Sequence, residues 1–369
     1  MKKLLYQNKH SFIEHDQTNR ELLALASMTD ATDYDSDNLL KAKLLLEQLP
    51  KYWDSHFRIL PLLHRKAKKL NLLGALSPDI HSHLKIKTKN ALVRQLAIRQ
   101  QLSLLIELFS QNEIPIILLK GSALNGSVYS LDVPRDSTDI DILVRHSDWS
   151  KAVELVSDIM YYQQKDNPDV FGDIYELSFR PKSCTGGVLD LHKSLTHPIL
   201  FNICEQELWQ ASLVHPVFAN PLVRMLSAEQ ALVHQALHAY KDMNFCKYNL
   251  VDTHEIICQL KVDLTLAVKI AKKWGALVAL KKLLNNCRYV MHTPIPAGVD
   301  KELQLSPIQQ VLTTRLLSSK FARPVNQKKS VLYRLNQCCA QFVFCSSLIR
   351  PIKLQLLFIK HYLQRGYVQ

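Results

Sequence analysis

The sequence predicts an α+β protein, a small mixed β-sheet embedded in a mostly helical chain. Composition is the first reason: only 9 of 369 residues are glycine, while Leu and Lys are abundant, which favours helix over irregular structure. The second is that stretches of strand character gather in one region, about residues 112 to 195, with helical periodicity on either side. With 47% hydrophobic residues the chain can bury a sizeable core across two or three domains.

Residues 1–88 read as a helical region, with Leu39, Leu40, Leu44, Leu45, Leu46 and Leu49 at helical spacing and a second such pattern from Phe57 to Leu70. A long helix from about Lys89 to Gln111, apolar at Leu92, Leu96, Leu102 and Phe109, opens the middle region, residues 89–222. There Pro115 to Leu119 makes a first strand, Gly121-Ser122 breaks it, and a short helix runs on through Val128-Tyr129. Asp139 to Val144 makes a second, buried strand. Ser147-Asp148 caps the next helix, whose apolar face is Trp149, Val153, Val156 and Met160. Tyr175 to Arg180 is another strand, and Gly186-Gly187 turns the chain into the last, Val188 to His192. Residues 223–369 return to helix, beginning with a capping box of Ser227 and Gln230.

The chemistry concentrates in the middle region. Asp139 and Asp141 stand two residues apart in an apolar strand, so their carboxylates share one face of the sheet. Two acids crowded in a buried strand repel each other unless a cation neutralises them, and a hard divalent ion is the natural one. Upstream, Lys120-Gly121-Ser122 ends a strand and opens a helix, where backbone N–H groups and a lysine face an incoming phosphate. Asp190 and His192 alternate with Leu189 and Leu191 and also share a face. Paired acids beside an anion cradle point to a nucleoside triphosphate. Each motif alone has a duller reading: a Gly-Ser turn is common, the acids can be solvated strand residues, and Arg135 can pair with Asp132 or Asp136. Their order supplies the specificity.

Strand, Gly-Ser turn, helix and a second strand bearing Asp-hydrophobic-Asp resembles the nucleotidyltransferase core of the DNA polymerase β superfamily. The longer text, Leu118-Leu119-Lys120-Gly121, then Tyr129, Arg135 and Asp139-Ile140-Asp141-Ile142-Leu143-Val144, is similar to the bacterial uncharacterised nucleotidyltransferase family, near the toxin-type nucleotidyltransferases of abortive-infection systems. One departure is the 16 residues between Ser122 and Asp139, longer than the superfamily's usual gap. The resemblance implies that Asp190 is a third acid and that Asp139, Asp141 and Asp190 hold two Mg²⁺ ions. It further implies an NTP donor with its β- and γ-phosphates on Gly121 and Ser122, and Lys120 and Arg135 as partners of the same charge. The implied reaction moves a nucleoside monophosphate to an acceptor hydroxyl with release of pyrophosphate. The acceptor stays open among small molecules, RNA and protein. The rivals are a toxin-like transferase acting on tRNA and a catalytically silent module that binds nucleotide or RNA.

His234 and His238, four apart on one helical face, have the spacing of zinc ligands, but no glutamate follows His234. Packed histidines, or histidines lining the cleft, are the better reading, because a helical pair without a third ligand is rarely a metal site. The resemblance implies that this His-x-x-x-His helix and Asp252 on the following helix close over the base or the acceptor, and His192 is a further candidate for the cleft.

Charge is uneven. Of the net +13, residues 301–369 carry most, with eleven Lys/Arg against the single acid Glu302. That segment is either a solvated basic face or a contact for RNA or an anionic membrane surface, and Ser347 to Tyr362 mixes apolar and basic residues in a way that suits a bilayer interface. The N-terminus lacks the apolar run of a signal peptide and no stretch is apolar enough to span a bilayer. Eight scattered cysteines without a Cys-x-x-Cys pair fit reduced thiols, so the expected location is the cytoplasm.

Overall fold

The computed structural model describes residues 17–28, 35–53, 58–131, 135–163, 175–182, 186–241, 248–316, 331–345, 347 and 349–366. Helices α1 (Gln17–Leu25), α2 (Ser36–Glu47) and α3 (Leu60–Lys69) lead into α4 (Pro78–Gln111), a helix of 34 residues. Its first turns lie outside the expected span because His81, His83, Lys85 and Lys87 mask the pattern. Ile80 and Leu84, one turn apart, are nevertheless buried, and Pro78 at the first turn suits a helix start.

A seven-stranded mixed sheet follows, in the order β3-β4-β5-β2-β1-β7-β6. The strands are β1 (Ile116–Leu119), β2 (Asp139–Val144), β3 (Met160–Gln163), β4 (Glu176–Pro181), β5 (Val188–His192), β6 (Leu213–Val214) and β7 (Val223–Met225). β2 pairs parallel with β5, and β1 parallel with β7; the other neighbours are antiparallel. Three short helices interrupt the strands: α5 (Lys120–Leu124), α6 (Trp149–Ile159) and α7 (Glu205–Ala211).

Period-2 alternation gives the sheet two buried faces. On one face Ile116, Leu118, Ile140, Ile142, Val144, Leu189 and Leu191 pack against Ile98, Leu102 and Leu105 of α4 and Ala152 and Val156 of α6. On the other, Ile117, Leu119 and Leu143 join a larger core with the helices that follow the sheet, α8 (Ala228–Lys241), α9 (Tyr248–Gln259), α10 (Leu264–Trp274) and α11 (Leu277–Met291). The N-terminal residues Leu22, Leu46 and Leu63 belong to the same core. Burying each such Leu or Ile contributes roughly 1.5–3 kcal/mol.

Local differences from the expected elements have local causes. The helix after Gly121 stops at Leu124: Asn125 is extended, Gly126 takes φ +92°, and the residues that follow close an Asn125–Tyr129 bridge. Asp148 occupies the cap position of α6 in a helical conformation without a side-chain cap bond, and Met160 belongs to β3 rather than to that helix. At α8 the capping box is present, with Ser227 Oγ accepting from Gln230 N at 3.3 Å and Ser227 N donating to Gln230 Oε1 at 3.4 Å. Strands β3, β6 and β7 extend the sheet beyond the expected four.

The chain ends in α12 (Ala297–Glu302), α13 (Pro307–Leu316), α14 (Val331–Phe344) and α15 (Ile349–Gly366). α15 buries Pro351 and Leu354 and leaves Ile349, Ile352, Lys353 and Leu356 exposed. Among the described residues no helix is long and apolar enough to cross a membrane. Six of the cysteines are free thiols; Cys184 and Cys246 lie outside the described residues.

Candidate active site

Strand register assembles the site. Asp190 of β5 stands opposite Asp141 of β2, and Val188 opposite Asp139; residues paired across a ladder point to the same side. The three aspartates therefore share a face. β4 adds Ser178 opposite Asp190 and Glu176 opposite His192 on that same face.

Asp141 sits at the centre of a chain of charges. It is 1% exposed, and its Oδ1 accepts from Lys120 Nζ at 2.7 Å and lies 3.0 Å from His192 Nε2. Burial opposes charge on both members of the Lys120–Asp141 pair, yet their attraction prevails. Lys120, helped by His192, holds the Asp141 carboxyl well below the usual carboxylate range, and Asp141 pushes the Lys120 ammonium up to about 12. The chain continues through His192 Nδ1, 3.7 Å from Glu176 Oε2, to Lys241 Nζ, which donates to that same oxygen at 2.7 Å. Asp139 and Asp190 are half-buried and bound by hydroxyls: Ser137 Oγ donates to Asp139 Oδ1 at 3.1 Å, and Ser178 Oγ donates to Asp190 Oδ1 in a short hydrogen bond.

A second buried ion pair braces the rim. Arg135 Nε donates to Asp252 Oδ1 and Oδ2 at 2.8 and 2.7 Å, and Tyr129 Oη donates to Asp252 Oδ1 at 2.9 Å. Burial opposes the guanidinium charge, and Asp252 overrides it, pushing Arg135 above its ordinary value. Of the nearby acids, Asp136 is taken by Arg94 at 2.7 Å and Asp132 lies outside the described residues. The Tyr248 ring lies under both Arg135 and Arg58, at 5.4 and 4.6 Å from their guanidinium carbons.

Gly121 is where this brace meets the acids. A Cβ there would come within 2.6 Å of both Arg135 Nη1 and Ser137 Oγ, so only glycine allows the approach. With Arg135 held by Asp252, neither neighbour yields easily. Gly121→Ala is accordingly expected to cost about 1–3 kcal/mol of stability by overpacking; urea denaturation reads it, and a change below about 0.5 kcal/mol, the ordinary surface range, contradicts the packing described. Gly121, Ser122, Ser137 and Asp139 line a common cavity of about 60 Å³. The Ser122 hydroxyl is buried there with no hydrogen-bond partner among the described residues. A wider cavity of about 600 Å³ between α4 and the β3–β4 edge, lined by Leu104, Leu108, Ile159 and Pro181, contains none of the three aspartates.

His234 and His238 lie on α8. Burial, reinforced by Lys120 and His192, brings His234 down to about 3; burial, Lys120 and His234 likewise push His238 well below its ordinary value. Among the described residues no group of three or more His, Cys, Asp or Glu is arranged to hold a metal ion as it stands. Each of the three aspartates receives a protein donor. As a donor set the aspartates suit Mg²⁺, being three oxygen ligands on one sheet face. Sequence reasoning missed Ser137, Ser178, Glu176 and Lys241. The signal for two of them was available, since Glu176 and Ser178 are the polar alternates of a strand whose other positions, Leu177 and Phe179, are apolar.

Fold and site together define an α+β protein whose sheet presents three acids on one face beside a strand-to-helix turn. The chain belongs to the uncharacterised nucleotidyltransferase family, whose model matches residues 52–292, and the general activity of that class is nucleotidyl transfer. No curated protein matches the sequence.

Proposed function

We propose that the protein transfers a nucleoside monophosphate from an NTP to an acceptor hydroxyl. A bond forms between the acceptor oxygen and the α-phosphorus, the α–β phosphoanhydride bond breaks, and pyrophosphate leaves. The observation that carries this reading is the register that sets Asp190 against Asp141 with Asp139 on the same face, next to a cavity shared by Asp139, Gly121 and Ser122. Asp139, Asp141 and Asp190 would hold Mg²⁺, which supplies charge neutralisation at the attacking and leaving oxygens. Asp190, half-buried, takes the proton of the acceptor hydroxyl. The partnerless Ser122 hydroxyl and the Gly121 backbone take the β- and γ-phosphates, a ligand that would satisfy an otherwise costly buried group. Arg135, locked on Asp252, shapes that cradle from behind.

The Lys120–Asp141 ion pair favours one rival, a silent nucleotide-binding module, because it neutralises Asp141 without a metal. Incubation with each α-labelled NTP, Mg²⁺ and host lysate fractions separates the two. Chelator-sensitive label in a small-molecule, RNA or protein fraction is the expected result. Saturable NTP binding without label in any fraction would establish the rival instead.

A further inference from the structure

Lys120 is unusual twice over. Its backbone lies in the left-handed region at φ +47°, where a residue with a Cβ is uncommon, at the point where β1 ends and α5 begins. Its side chain, only 15% exposed, is folded onto the sheet face with Nζ 2.7 Å from Asp141 Oδ1. His192 approaches the same oxygen at 3.0 Å. One oxygen of Asp141, Oδ1, is thus already served by one full positive charge and one imidazole nitrogen.

We propose that Lys120 is a resident counter-ion of Asp141 that a divalent cation must displace, so that metal capture and release of the Lys120 ammonium are one coupled event. The inference rests on the metal-dependent reading above and deepens it by naming how the site is regulated. Ligated Mg²⁺ sits about 2.0–2.1 Å from a carboxylate oxygen. At that distance the ion would contend with an ammonium 2.7 Å from the same atom and repel it in a poorly solvated setting. Before the metal arrives, Lys120 holds Asp141 in place and offsets its negative charge. After it arrives, the ammonium is set loose beside Gly121 and Ser122; Glu176, the other acid that acts on Lys120, is already paired with Lys241, so an incoming triphosphate would be the charge left for it. Metal and nucleotide then favour each other's binding through one side chain, a linkage that runs in both directions.

The test has two arms on metal alone, without nucleotide. In the native protein, acetylation of Lys120 by an amine-reactive ester, read by mass spectrometry across a Mg²⁺ titration, should rise several-fold. The exposed Lys272 and Lys273 serve as unchanging references. In Lys120→Met, the Mn²⁺ dissociation constant measured by calorimetry or electron paramagnetic resonance should fall by about tenfold or more, equivalent to roughly 1.4 kcal/mol. Lys120 labelling that ignores Mg²⁺ overturns the proposal even if the variant does not fold. Mn²⁺ affinity that is unchanged or weaker in a folded Lys120→Met overturns it too. So does the absence of saturable Mn²⁺ binding by the native protein. In each case chelator-sensitive label transfer by the native protein would leave the nucleotidyltransferase reading standing, so the two can fail separately.

Discussion

Asp139→Asn is expected to lower nucleotidyl transfer by at least about a hundredfold, the scale on which removing one electrostatic group from a reacting centre acts, while leaving the fold intact. Asp139 is the cleanest of the three acids to test. It opens β2, is half-buried, and among the described residues its carboxylate is bound by the Ser137 hydroxyl, from which an asparagine oxygen can still accept. The variant loses charge and little else. Asp141→Asn should also lose transfer, but at a structural cost, because it leaves the buried Lys120 ammonium and His192 facing a neutral group. The sign of the pH dependence follows. Asp141 is held below the ordinary carboxylate value when folded, so the stability it contributes is present above that value and declines as pH falls toward the folded one. In Asp141→Asn that part of the acid-side decline should vanish. Pyrophosphate release at the native rate by Asp139→Asn would remove the basis for the mechanism; equal acid sensitivity of Asp141→Asn and the native protein would remove the basis for the ion-pair account.

Much of this site could be read from the residues, and what could not has physical causes. The strands bearing Asp139, Asp141 and Asp190 stand out because apolar runs and period-2 alternation survive in segments of five and six residues. β6 and β7, at two and three residues, are too short to show any period, although β7 lies directly beside β1. Alternation also fixes only which residues of one strand share a face. Which strand lies next to which is a tertiary matter, so setting Asp190 opposite Asp141 rests on resemblance and not on spacing. Lys120 shows the same limit: a lysine before a Gly-Ser turn reads as a phosphate ligand, and nothing local reveals that a left-handed backbone folds it back onto Asp141. Asp252 shows it most plainly, since its partner Arg135 is 117 residues away and nearer acids were on offer.

Breaking that distant pair should produce the largest loss of stability. Asp252→Ala leaves the Arg135 guanidinium buried without its carboxylate and the Tyr129 hydroxyl without its acceptor, so a cost of about 3–5 kcal/mol is expected. Arg135→Ala should cost a similar amount by stranding Asp252, which is 2% exposed. The double variant Arg135→Met with Asp252→Leu should recover much of either loss, because two apolar groups of similar volume carry no uncompensated charge. Urea denaturation of Arg135→Met, Asp252→Leu and their double variant completes a cycle, and a coupling below about 0.5 kcal/mol, the range of independent sites, would show that the pair is not the brace described. The double variant also separates stability from chemistry. Arg135 and Ser137 fill the space that a side chain at position 121 would need, and Ser137 in turn binds Asp139. A protein that refolds with apolar residues at 135 and 252 should therefore be stable and still transfer poorly, because the turn that carries Gly121 and Ser122 has lost the guanidinium behind it.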